Sequence, residues 1–434
     1  MTSNADRSLI AHLLRRTGFG ASGPEIDAAY AAGYASTVDG LFASSDDPGV
    51  AATPAPSLPA AIDKSADADL VAWWLARMTA AHNPWPEKRT YFWHGHFATS
   101  LQKVRYAPLM LKQNQTMRTL GGGDFRTLFR TMLTDPAMML WLDAEGSTAK
   151  APNENLARES MELFSLGVGH YAETDVRQAA LALTGWRLDR TTGAATFSTK
   201  NHAPGPETIL GKTGSFDVDS FTDLLLAQPA SPEFVVARHW FRLGSAAAIP
   251  ASTQRNLLAA YGANGASGSN GANSVNRAQT DLGALARALF TDASFTGSTA
   301  RYALVKQPVE YVVGALRALK ISPTAKDTTT LRAVLTGLGQ LPFYPPNVGG
   351  WPSGQLWLTT AALQSRIAFA RWAATAGDLS TVADASTGSR IDAVGYLLGV
   401  DAFSARTTAA LSDVVGSPPS LVGLALLSPE YQVD

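Results

Sequence analysis

Apolar residues recur at three- and four-residue spacing through most of the chain, the period of a helix with one buried stripe. The pattern is clearest in "LVAWWLARMTAAH" (70–82), "FRTLFRTMLTDPAMMLWL" (125–142), "TDVRQAALALTGW" (174–186), "DLGALARALF" (281–290), "KQPVEYVVGALRAL" (306–319) and "TTLRAVLTGLG" (329–339). Alanine and leucine add helix propensity throughout. Alternation of the strand kind is confined to "GAATFS" (193–198) and "PETILG" (206–211). Stretches rich in Gly, Ser, Pro and Ala at 44–61, 262–274 and 374–389 read as loops. They are too short to force separate domains, and no repeat of solenoid period links them. The expectation is a mainly α protein, a single large multi-helix domain over residues 1–434 with long irregular loops. A subdivision near 262–276 is the alternative.

Composition narrows the chemistry. With 434 residues, 46% of them hydrophobic, the chain can bury a sizeable core. Lys plus Arg total 35 against 36 Asp plus Glu, so no net field draws it to nucleic acid. Cysteine is absent, which excludes disulfides, thiolate catalysis, Fe–S clusters and thiolate-bound zinc. Any metal would need His, Asp, Glu or Asn, and the histidines are His12, His82, His94, His96, His170, His202 and His239. Arg7, His12, Arg15 and Arg16 interrupt the apolar residues of the first segment. No window holds the roughly 18 apolar residues of a membrane span. As it stands the sequence reads as a cytoplasmic protein, and as an exported one where a leader has been removed.

One run stands out in a chain that is only 16% charged: "NENLARESMELFSLG", 153–167. Pro152 before it and Gly167 after it suit a helix entry and exit, predicting a helix from Asn153 to Leu166. At roughly 100° per residue, Glu154, Asn155, Arg158, Glu159 and Glu162 share one side, and Leu156, Ala157, Met161, Leu163 and Phe164 occupy the rest. Glu154 with Arg158, and Arg158 with Glu162, are helical ion pairs of the sort that decorate any solvated face. Two amides and no lysine are unusual for a face that need only be wet. Turned inward, the same side chains form a site in which Glu159 and Glu162 reach one metal ion or divide acid and base roles.

Candidate partners lie elsewhere. "YFWHGHFATS" (91–100) sets His94 and His96 two residues apart, a chelating pair on a strand but a divergent one on a helix, which the flanking sequence favours. His202 sits in the loop "FSTKNHAPGPETILG" (197–211). "LPFYPPNVGGWPSGQLWL" (341–358) cannot be helical, and its aromatics, Trp351 among them, suit either a pocket wall or a pin between helices. His12, His82 and His239 read as structural.

Taken together, "LLRRTGFGAS", "YFWHGHFATS", the run from Asn153 to Trp186, "HAPGPETILG", "KQPVEYVVGALRAL", "PPNVGGWPSGQLWL" and "LLSPEYQ" resemble, in order and over nearly the whole chain, the bacterial DUF1800 family of unknown function. The resemblance implies an α-helical protein, and members often carry export signals. It also shows two departures: Phe164 stands where the family commonly has histidine after "MEL", and "HAPGPE" replaces "HDxGxK".

These readings give three expectations. A metal-dependent enzyme would use a divalent ion (iron, manganese, copper or zinc) on His94, His96, His202, Glu159 and Glu162 for oxidation or hydrolysis. Its catalytic groups would be Glu154, Arg158, Glu159 and Glu162, with Asn153, Asn155, Trp186 and Trp351 binding a small molecule or saccharide. A metal-independent carboxylate pair would instead hydrolyse a glycosidic bond, and a Mg²⁺ site on Asn155, Glu159 and Glu162 for a diphosphate ranks below both. A non-enzymatic binding or assembly protein would use the Asn-Glu-Arg face as a buried polar network.

Overall fold

The computed structural model describes residues 4–43, 46–59, 64–190, 192–262 and 280–434. Among them are twenty-four α-helices and two antiparallel strand pairs, so the protein is mainly α. Both sequence-predicted strands are present: Ala194–Phe197 pairs with Trp186–Asp189, and Glu207–Ile209 with Lys212–Gly214. Trp186, expected at a helix end, therefore opens a strand, because its helix, Glu173–Ala182, stops before Gly185 at φ +94°.

Other boundaries moved for local reasons. The 125–142 segment divides into Phe125–Leu133 and Pro136–Trp141, because Asp135 caps the second helix through Met138 N–H and Pro136 can only begin one. The stretch 374–389 is less loop-like than its composition suggests. The Thr360–Ala376 helix runs into it, and Ser380–Ala383 forms a further turn. Pro48–Ala51 likewise forms a short helix, capped by Asp47, inside the 44–61 stretch. The candidate boundary at 262–276 lies, beyond Gly262, outside the described residues.

Two large apolar clusters meet along one helix, Trp85–His96. Tyr91 enters a cluster with Trp74, Val309, Tyr311 to Val313 and Phe343, whereas Trp85 and Trp93 enter another with Phe97, Phe125, Phe164 and Trp240. This helix is buried nearly all round, including Glu87, Lys88, His94 and His96. Its polar groups must therefore be satisfied within the protein. Glu87 accepts from Trp74 Nε1 at 2.9 Å, Arg77 Nε at 2.7 Å and Arg118 Nε and Nη2 at 2.8 and 2.7 Å. Two glycines let backbones close on the seam. A Cβ on Gly350, at φ +82°, would stand 2.5 Å from Gly95 O, and one on Gly314 would stand 2.3 Å from Phe19 O. None of the described helices is long and apolar enough to cross a membrane.

Candidate functional site

The Asn153 run forms the helix Glu154–Glu162, capped by the Asn153 side chain accepting from Asn155 N–H at 2.8 Å. It is shorter than the sequence pattern predicts. Past Glu162 the chain tightens into turns, with Leu166 N–H and Gly167 N–H both given to Met161 O, and Gly167 takes φ +89°. The apolar face, Leu156, Ala157 and Met161, is buried as its pattern requires. The polar face is half-exposed. Arg158 lies 3.5 Å from Glu154, but its two strong bonds, 2.6 and 2.8 Å, go to Glu173 of the next helix rather than to Glu162. Glu162 instead accepts from the Tyr171 hydroxyl. Glu159 is held above its ordinary carboxylate range by burial first and by neighbouring Glu162 second, with Arg158 opposing. Asn155 is exposed, and Asn153 also donates to Asp143 O.

The three candidate histidines occupy separate surroundings. On the helix Trp85–His96, His94 and His96 point into different cores, as two-residue spacing dictates. His94 Nε2 accepts Phe343 N–H at 2.9 Å among Trp74, Phe343 and Trp351, and burial lowers its pKa to about 3. Phe343 is held at φ +67°, so this bond pins a backbone that a bulky residue rarely adopts. His96 donates from Nε2 to Phe164 O at 3.1 Å amid aromatic rings, and its pKa falls well below the ordinary value through burial. The carbonyl of Phe164, the family-departing position, is thus its partner. Half-buried His202 donates from Nδ1 to Thr184 O at 3.0 Å and meets Phe197 edge-on. Among the described residues, no three of His, Asp and Glu are grouped as a metal would need. Trp186 packs on Phe197, with Arg130 over its ring.

A different site forms at the seam between the two clusters. A cavity of about 210 Å³ is lined by Arg16, Lys88, Phe241, Arg242, Gln307, Glu310, Gln355 and Asp434, with apolar wall from Ala303 to Val305. A niche of about 20 Å³, enough for one water, shares Lys88, Arg242 and Gln307 with it and is closed by Tyr91, Gly95 and Trp351. Trp351 was singled out in the sequence; the charged lining was not. Its members come from chain positions 16 to 434, so no local pattern announces them. The segments that carry the family resemblance supply several of the lining residues: "LLRRTGFGAS" gives Arg16, "KQPVEYVVG" Gln307 and Glu310, and "GGWPSGQ" Trp351 and Gln355.

Charge pairing inside the cavity is uneven. Lys88 Nζ meets Glu310 Oε1 at 2.5 Å, and Glu310 also accepts Gln307 N–H at 2.7 Å. Lys306, lowered to about 8 by burial, lies 3.8 Å from Asp434. That leaves two guanidiniums with no ion-pair partner among the described residues. Arg16 is 2% exposed and donates once, from Nη2 to Ala300 O at 2.8 Å, while its Nε and Nη1 have no partner. Burial lowers its pKa to about 10. Arg242 donates to Trp351 O at 3.3 Å and is likewise lowered by burial. It projects from a π-helical turn, Trp240–Gly244, a wide coil that often marks functional positions.

The fold and this cavity define a mainly α protein with a basic, partly apolar chamber between two cores. The chain belongs to the DUF1800 family of proteins of unknown function, whose model matches residues 12–433. No curated protein and no solved structure matches it.

Proposed function

We propose that the protein binds a small anion, a carboxylate or phosphate monoester, in the seam cavity. The observation that carries this reading is Arg16, a buried cation that lines the cavity and whose Nε and Nη1 have no hydrogen-bond partner. A buried charge is retained at a cost of several kcal/mol unless something pairs with it, and planar guanidinium donors match carboxylate and phosphate oxygens in pairs. Arg242 adds a second cation to the cavity lining. Lys88 is already engaged by Glu310, so it shapes the site more than it charges it. The test is thermal shift and calorimetric titration with acetate, succinate and phosphate. Wild type is expected to gain stability with at least one of them, and Arg16→Met to lose that gain while melting no lower than wild type without ligand. Absence of any gain in wild type at tens of millimolar anion would overturn the reading.

A second reading rests on Glu159 and Glu162. Glu159 is held towards its protonated form by burial, and Glu162 beside it accepts the Tyr171 hydroxyl, so the two carboxylates stand in different surroundings, as general acid and base roles require. A divalent metal would use the same two carboxylates, the histidines being occupied with Phe343, Phe164 and Thr184. Metal content by plasma mass spectrometry, wild type against Glu159→Gln, separates the two versions. Metal lost in the variant supports the ion, and an empty wild type that hydrolyses glycosides only with Glu159 intact supports the acid–base pair.

A further inference from the structure

Among the described residues, eight large apolar side chains are exposed: Val168, Phe197, Phe241, Tyr302, Leu356, Leu358, Leu363 and Tyr396. Half of them stand at the seam cavity or within three residues of its lining. Phe241 lines it, Tyr302 precedes Ala303, and Leu356 and Leu358 follow Gln355. Leu356 is 67% exposed on the short turn Gly354–Trp357, and Phe241 is 38% exposed on the π-helical turn that also carries Arg242. Apolar exposure concentrated at one place marks a binding surface more often than scattered leucines do. Here it adjoins a chamber whose inner wall holds an unpaired cation.

From this juxtaposition we infer that the ligand is a single-chain amphiphilic anion. Its charged head meets Arg16 and Arg242, and its hydrocarbon lies along Leu304, Val305 and Phe241 towards Leu356. The inference rests on the anion-binding reading and adds the chemical class. A cavity of about 210 Å³ is small for a whole drug-sized ligand, so a chain of several carbons must leave it, and the exposed apolar residues beside the cavity can keep that chain out of water. A purely hydrophilic anion would leave Phe241 and Leu356 without a role. A hydrocarbon without a polar head would leave the Arg16 Nε and Nη1 donors unmet.

The experiment is calorimetric titration of the full chain with acetate, hexanoate, decanoate and octyl phosphate below their micellar concentrations. Affinity is expected to rise roughly two- to fourfold per methylene until the apolar surface is covered. Phe241→Ser and Leu356→Ser should flatten that dependence on length, and Arg16→Met should weaken every ligand in the series. Equal affinity for acetate and decanoate overturns the amphiphile while the anion site stands. Failure of all four, and of anionic vesicles, to bind overturns the anion site itself. A vesicle arm, sedimentation with phosphatidylglycerol against phosphatidylcholine, addresses the source of the head group. Binding to the anionic vesicles without binding of any soluble alkyl anion overturns a free ligand, and saturable binding of the soluble anions without vesicle sedimentation supports it.

Discussion

The Glu154–Glu162 helix face and the seam cavity both gather acids, bases and amides, but they hold them on opposite terms. On the helix the charges are dense in sequence and half in water. Arg158 pairs with an exposed glutamate, and Glu154 and Asn155 remain accessible. In the cavity the charges are scattered along the chain and buried. Every pairing there is long-range in sequence, and two arginines are left over. The cost of a charge, and so the case for a ligand, follows burial and unmet donors rather than local charge density.

The largest test of that contrast is acid. His12, His94, His96 and His239 are all buried and all held neutral, with pKa values lowered to about 2, about 3, well below normal and about 4, in each case chiefly by burial. Below their ordinary value of 6.5 the unfolded chain takes up protons that the fold refuses, so stability rises with pH there and is lost as pH falls. Each histidine removes about 1.4 kcal/mol per pH unit, roughly 5 for the four together, between pH 6.5 and the lowered values. Asp135 opposes them. Burial raises it to about 6, so the fold holds its proton and that single group favours the folded state as pH drops. Urea unfolding at pH 7, 6 and 5 should show a steep decline, and a flat profile would mean the interior histidines are solvated.

Next in size is the pair that shapes the cavity. Lys88→Met leaves Glu310 buried without its cation and is expected to cost about 3–5 kcal/mol. Adding Glu310→Gln removes the stranded charge and should recover most of it. Chemical denaturation of the single and double variants reads the recovery directly. Equal losses in both would show that packing, not charge, is what Lys88 supplies.

These long-range pairs also explain what was legible in the sequence. The α-rich class followed from apolar spacing because each helix buries a stripe that its own residues define. Of the two strand segments, 207–209 buries alternate residues as its pattern requires, whereas 194–197 buries neither face. The polar helix was legible as a helix, yet its partners were not. Arg158 chose Glu173, on another helix, over Glu162 on its own. The cavity was out of reach because Arg16 and Arg242, far apart in the chain, come to line one space only in the folded protein. One available signal was the pair of arginines in "LLRRTGF", strange in a helix that otherwise reads as core.

A smaller effect is expected at His94. His94→Phe keeps an aromatic ring in place but strands the Phe343 N–H, a loss of about 1–3 kcal/mol. Because Phe343 is held at φ +67°, the 341–350 loop should loosen first. Hydrogen exchange would then rise at Phe343 and Leu101, whose N–H is given to Phe343 O, before the helices themselves open. Unchanged protection at both amides would mean that the loop is held by packing around Trp351 alone.

The smallest change, at Glu159, discriminates best between readings of the polar helix. Because its pKa is raised, the fold holds a proton more readily than the unfolded chain does, and stability falls as pH climbs through and above 4.5. Replacing it by Gln removes that penalty. Since the residue is half in water, solvent screening keeps the gain at pH 7 to a few tenths of a kcal/mol, and the gain should vanish below pH 4.5. A buried structural network predicts the reverse sign, a loss at neutral pH as a needed hydrogen-bond acceptor disappears. A reactive carboxylate predicts the small gain together with a lost activity or lost metal, because strained functional groups are commonly kept at the expense of stability. Melting Glu159→Gln beside wild type at pH 4 and pH 7 therefore sorts the face by the sign of a difference. A gain at pH 7 with nothing else lost would leave the helix a solvated face.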